Sequence, residues 1–229
     1  VEFDFVEYLQ DCPNVLYLSA TPMLDKYLEK VEVFKNLPFY EIDWSETGVV
    51  ENIIIKRKFS GSLGSDCIKI INKYLEGKFP STFTPDNKII FSKEAVFYFN
   101  SISDIIRVIN KTNLLPSQVN IICADDGVNE GKLKKIGHSI GKIPLKEETN
   151  KMFTFCTKTA YIGSDFYSDC ASSYVFADPN IKSLALDISL DLPQIVGRQR
   201  NRENPFKNNI VIFYKTKRKD DKDLTEEEF

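Results

Sequence analysis

Short apolar runs alternate along the chain with stretches in which apolar residues recur every three or four positions. The runs "NVLYLSA", "ENIIIKRKF", "EAVFYFNS", "SQVNIICADD", "KMFTFCT", "SYVFAD" and "NNIVIFYK" have the length and the β-branched or aromatic content of strands. The first, bounded by Pro13 and Pro22, and the second are expected to be buried strands. In "SDCIKIINKYLEGKF" a helical period puts Ile68, Ile71, Leu75 and Phe79 on one face, with Ser65 as the expected cap and Gly77 near the end. "SISDIIRVINKTNLL" predicts a second helix, with capping-box spacing at Ser101 and Asp104 and a stripe of Ile102, Ile105, Ile106 and Ile109. A polar helix is expected to follow "SQVNIICADD" and to run to about Gly137.

Apolar strands separated by helices predict a parallel sheet covered on both faces, an α/β sandwich. Ligands bind such sheets outside the carboxyl ends of the strands. The polar residues that follow strands therefore carry the interest: Ser19, Ala20 and Thr21, then Asn100 and Ser101, then Thr157 to Asp165, and the arginines after Leu192. The apolar runs thin out over "FYEIDWSETGV", where a domain boundary is expected. Residues 1–45 predict one strand and two helices, too little for a core of their own, and are read as the trailing part of a preceding domain. Residues 46–215 form the main domain. Residues 216–229 are a charged tail or, from Thr225 and its three following glutamates, the start of a further helix. The chain begins at Val1 rather than at a methionine, and it is expected to be a piece of a longer protein.

Composition narrows the picture. At 229 residues, 42% hydrophobic and 28% charged, the chain is typical of a soluble globular protein. It has no apolar run long enough to cross a bilayer and no signal-peptide pattern, so no membrane association and a cytoplasmic location are expected. The net charge of −3 speaks against holding nucleic acid by bulk electrostatics alone, but not against a groove lined by a few basic residues. "IKRKF" and "KLKK" are candidates for such a lining, and a solvated surface is their ordinary reading. Five widely spaced cysteines without a CxxC, together with a single histidine, His138, exclude a zinc site or a nucleophile triad as the expected chemistry.

Three short motifs occur in order. "LYLSATP" ends an apolar run with small hydroxyl residues. "FCTKTAYIGSDF" follows another with Thr157, Gly163 and Asp165. There glycine permits close backbone approach, an aspartate can accept from ribose hydroxyls, and Thr157 offers a hydroxyl and an N–H to a phosphate. In "LPQIVGRQRNR", Asp191 or Leu192 is expected to cap a helix with Pro193 in its first turn, and Gln194 and Arg198 share a face. Guanidinium groups suit phosphoryl oxygens, being permanently charged and forked. Alone, the first two motifs read equally as turns leading into helices.

Together, SAT, T-x5-G-x-D and Q-x-x-G-R resemble motifs III, V and VI of superfamily 2 helicases, and "AVFYFNSISDI" resembles motif IV. The resemblance spans almost the whole chain. It implies a RecA-like three-layer α/β/α sandwich with a mainly parallel central sheet, the second of two RecA-like domains that clamp ATP between them. It further implies Arg198 and a second arginine as fingers to the γ-phosphate, with Gln194 organising the site and Gly163 and Asp165 near the nucleotide. Thr157, Asn100 and Ser101 would contact DNA or RNA, and Ser19, Ala20 and Thr21 would couple the ATP site to strand movement. The family pattern places the second arginine where Asn201 stands; Arg200 is the favoured replacement and Arg202 the alternate. No G-x-x-x-x-G-K-[ST] loop and no DEAD or DExH box occurs, so ATP and Mg2+ would be held mainly by the first RecA-like domain of the same protein. A translocase without unwinding activity, or a domain that lost its motor and binds nucleic acid or a partner, carries the same motifs.

Overall fold

The computed structural model describes residues 52–216 except Pro85, Ile162 and Ser189, together with Leu9, Cys12, residues 14–17, Phe34, Leu37, Pro38 and Tyr40. The chain divides into two compact units, Val1–Val49 and Val50–Phe229. In the first, residues 15–17 form no strand, contrary to the expectation for "NVLYLSA", and Leu16 is 76% exposed. A strand exists only with a hydrogen-bonded neighbour, and the described residues supply none for this run. Tyr17 instead meets Phe34 edge-to-face at 5.1 Å. Ser19, Ala20, Thr21 and Trp44 lie outside the described residues, as does the tail beyond Thr216.

The second unit runs β1 (Asn52–Lys58), α1 (Leu63–Leu75), β2 (Ser81–Phe83), β3 (Ile89–Phe91), β4 (Glu94–Tyr98), α2 (Ile102–Thr112), β5 (Val119–Ile122), α3 (Gly127–Lys134), β6 (Phe153–Cys156), β7 (Ala171–Ala177), α4 (Asp191–Val196) and β8 (Asn209–Lys215). Six strands make one sheet in the order β1-β8-β7-β4-β6-β5, every pair parallel; β2 and β3 form a separate antiparallel ribbon. Helices flank the sheet, so the α/β sandwich read from the sequence is the fold.

Alternation along the strands supplies both layers. Ala95 and Phe97, followed by Phe99, face the larger core with α1 and α2, while Val96 and Tyr98 face the opposite core with α4 and Tyr161. On the larger side an aromatic layer crosses the sheet. Phe213 stacks on Phe176 at 5.2 Å, Phe176 on Phe99 at 5.0 Å, and Phe97 on Phe155 at 5.0 Å and on Tyr174 at 5.5 Å.

Three sequence expectations shift. Helix α1 is capped by Ser62, whose hydroxyl accepts the Ser65 N–H, so Ser65 lies inside the first turn. The buried face is then Leu63, Cys67, Ile71 and Tyr74 rather than Ile68, Ile71, Leu75 and Phe79, and Leu75 is 43% exposed. Tyr74 takes the inward place because its hydroxyl reaches the buried Ser92 at 3.0 Å. Among the described residues strand β1 is an edge strand, not a buried one: the one neighbour it has there is β8, and Ile55 is 68% exposed. The ribbon β2–β3, turned through Asn87 at φ 57°, has no counterpart among the expected elements.

Candidate functional site

The site grows from the turn before α4. Asp187 Oδ1 accepts the Leu190 N–H at 3.0 Å, and the Asp187 carbonyl accepts those of Asp191 at 2.8 Å and Leu192 at 3.1 Å. The helix therefore begins at Asp191 with Leu190 as N-cap. Leu192 is helical despite the proline that follows it, and Pro193 is the third helical residue. Gly197 ends the helix at φ −74°, a conformation open to any residue.

Past Gly197 the chain lies against the segment that follows β6. Phe166 donates its N–H to the Arg198 carbonyl and accepts that of Arg200 on its own, both at 2.8 Å. This two-bond bridge brings residues 164–166 beside residues 198–200, so the second and third sequence motifs become one cluster. Arg198 Nε donates to the Gln194 carbonyl at 2.6 Å, Nη2 to Gln194 Oε1 at 3.4 Å and Nη1 to the Ser164 carbonyl at 3.4 Å. Asp165 Oδ1 accepts Arg200 Nε at 2.8 Å and stands 3.7 Å from Arg198 Nη1. The Arg198 side chain is only 10% exposed, whereas Arg200 and Asp165 are about half open, at 48% and 40%. Gly163 sits exposed at φ +74°; an added Cβ would meet nothing within 4 Å, so it is the backbone conformation that selects glycine.

Between the two arginines, Gln199 turns inward. Its side chain is buried, and neither of its polar atoms has a partner among the described residues; the Tyr98 hydroxyl is likewise buried. Burial pushes that hydroxyl well above the ordinary tyrosine range. Asn201 turns away from the arginines: its Nδ2 donates to Asp169 Oδ1 at 2.6 Å and its Oδ1 accepts the Glu203 N–H at 3.0 Å. Arg202 is exposed beyond it.

At the carboxyl edge of the sheet the expected nucleic-acid residues are tied to their neighbours. Asn100 Oδ1 accepts the Lys158 N–H at 2.8 Å and Nδ2 donates to the Ser183 carbonyl at 2.7 Å, joining the segments after β4, β6 and β7. Ser101 is the N-cap of α2, accepting the Asp104 N–H and donating its hydroxyl to Asp104 Oδ2 at 2.7 Å. The Thr157 N–H, read from the sequence as open to a phosphate, donates to the Ile122 carbonyl at 3.0 Å, and the residue is buried. Lys158 Nζ bonds Asp191 Oδ2 at 2.7 Å, linking this edge to the start of α4. Asp187 and Ser183 were not singled out in the sequence; Lys158 and Ser164 fell within the stretch from Thr157 to Asp165 but were given no role of their own, and Asp191, read as a candidate cap, is instead the first residue of the helix.

The first basic run, and Lys134 of the second, are engaged locally. Lys56 lies over Phe213 and Arg57 over Phe59, Lys58 pairs with Asp66, and Lys134 pairs with Glu130 at 2.7 Å. Burial raises the Cys67 and Cys156 thiols above the ordinary range. Among the described residues no group of three His, Cys, Asp or Glu side chains is placed to hold a metal ion, and no helix is long and apolar enough to cross a membrane. The chain matches no family model and no curated protein.

Proposed function

We propose that this chain is the arginine-bearing half of an ATP-dependent superfamily 2 helicase or translocase acting on nucleic acid. One observation carries the reading. Gly163 and Asp165 on one segment, and Gln194, Arg198 and Arg200 on another, are far apart in sequence yet form a single cluster through the Phe166 bridge. A carboxylate shared by two guanidinium groups, one held rigid and one half exposed, suits a triphosphate brought up by another domain. Arg198 is preset in orientation by Gln194 and Ser164, and Arg200 is the accessible second arginine. ATP and its Mg2+ are held mainly by a first RecA-like domain carrying the phosphate loop. The present residues neutralise the γ-phosphoryl charge only when the two domains close, which makes hydrolysis depend on closure.

The test uses the protein that joins this chain to its phosphate-loop domain. Arg198→Ala and Arg200→Ala are each expected to lower ATP turnover by about 10³-fold or more while nucleotide binding, read by fluorescent ATP analogues, stays near wild type. Near-normal turnover in both variants overturns the reading. Asn100 and Thr157 already spend polar groups on local bonds, which speaks against them as nucleic-acid contacts and favours the alternative of a domain that has lost its motor and binds a partner through other residues. Absence of a phosphate loop from the complete protein would decide for that alternative.

A further inference from the structure

The two arginines of the cluster already carry an anion of this chain. Asp165 Oδ1 accepts Arg200 Nε at 2.8 Å and stands 3.7 Å from Arg198 Nη1. A carboxylate offers a guanidinium the same kind of charged oxygens that a phosphoryl group does, so it stands in for such a ligand. Two guanidinium groups and one carboxylate leave the cluster one positive charge, where the arginines alone would present two.

The fold there does not depend on this ion pair. The segments of Asp165 and Arg200 are joined by the two backbone bonds of Phe166 at 2.8 Å, and Arg198 is fixed by Gln194 and Ser164. The Asp165 and Arg200 side chains are 40% and 48% exposed, and an ion pair that open to water contributes little stability. The same exposure makes both partners reachable by a solute. Asp165 takes Nε, one of the five N–H donors of a guanidinium, so a larger anion can meet the Nη side first and displace the carboxylate afterwards.

We infer that Asp165 is an internal place-holder for phosphate, which Arg200 releases only to an anion carrying more than one charge. The Phe166 bridge keeps the carboxylate beside Arg200, which gives it the advantage of an intramolecular partner over a dissolved monovalent anion such as acetate. Such anions are screened out. A pyrophosphate or terminal phosphoryl group has the higher charge and enough oxygens to meet Arg198 and Arg200 together, and it takes the exchange. Asp165 is thus a specificity-determining residue that acts through Arg200, rather than a contact to ribose. The inference rests on the proposed role of Arg198 and Arg200 as the phosphate-facing groups and adds what decides which anion they accept.

The test titrates inorganic pyrophosphate into the 229-residue chain at low salt and follows the Arg200 Nε–H signal by NMR, identified by its loss in Arg200→Lys. Pyrophosphate is expected to shift the signal, and acetate at the same concentration to leave it in place. Asp165→Asn keeps the shape and removes the charge, and it should bind pyrophosphate about threefold tighter. The gain should vanish when Arg200→Ala is added, a coupling that a general change in folding would not give. Both side chains are about half open, so the variants should melt close to the parent. In the protein that includes the phosphate-loop domain, Asp165→Asn should lower the KM for ATP, whereas loss of a ribose contact would raise it. Unchanged or weaker pyrophosphate binding in Asp165→Asn, no binding by either form, or a raised KM overturns the inference. Tighter binding in Asp165→Asn with Arg198→Ala and Arg200→Ala both active leaves the anion exchange and removes the motor reading. No gain, with those two variants inactive, removes the exchange and leaves the motor.

Discussion

A methyl group on Gly141 would stand 1.7 Å from Asn120 Oδ1 and 3.3 Å from the Ile121 nitrogen. The glycine is there because the chain after α3 folds back onto β5. Gly141 donates its N–H to the Ile121 carbonyl at 2.7 Å, and the buried Asn120 amide donates to the Lys142 carbonyl at 2.8 Å. Gly141→Ala must push Asn120 off that bond, and about 1–3 kcal/mol of stability should be lost by urea denaturation. In an Asn120→Ala background the penalty should shrink, a coupling that a double-mutant cycle reads directly. The same scale explains a limit of the sequence. Asn201 stands where an arginine was expected, and no spacing argument could tell that its amide is spent on Asp169, 32 residues earlier in the chain.

At the scale of elements, α1 shows how a reading can be right in kind and displaced in place. Ser62 and Ser65 are both competent caps, and each lies before an apolar residue in period; tertiary fit chose Ser62, because a helix starting there turns Leu63 and Tyr74 into the core. Ser62→Ala is expected to cost about 1 kcal/mol in thermal or chemical denaturation, and Ser65→Ala less, since its hydroxyl serves only Ser62 and Lys58. The strands β4 to β8 were legible because each is a run of apolar or aromatic residues between turn formers. The ribbon was not: two strands of three residues carry too few positions for a period to register. Motif positions were legible at the level of elements, but their hydrogen-bond partners were not. Asn100 meets Lys158 and Ser183, 58 and 83 residues on, by virtue of the sheet order alone.

For the molecule as a whole, a parallel sheet followed from alternating strands and helices, while the strand order did not, since nothing local distinguishes an edge strand of isoleucines from a central one. The order sets the surroundings of Asp178, which is buried where β7 ends. Burial alone would raise its carboxyl, yet hydrogen bonds from the Asn180 N–H and amide at 3.0 and 2.9 Å, with Lys215 Nζ at 3.5 Å, hold it below the usual range. A carboxylate lowered on folding contributes stability that is full above its unfolded pKa, about 3.9, and is lost as pH falls through the folded value. Denaturation curves should therefore lose stability from about pH 4 downward, and Asp178→Asn should remove part of that slope while lowering stability at neutral pH.

The same order has a consequence in time. Strand β1 pairs from Asn52↔Asn209 to Lys58↔Lys215, so among the described residues the first strand of this unit is matched only to its last. On a ribosome, Ile53 to Ile55 emerge early, and their ladder to β8 waits until the final strand has been made. The middle of the sheet can form beforehand, and joining β1 to β8 is a late, long-range closure.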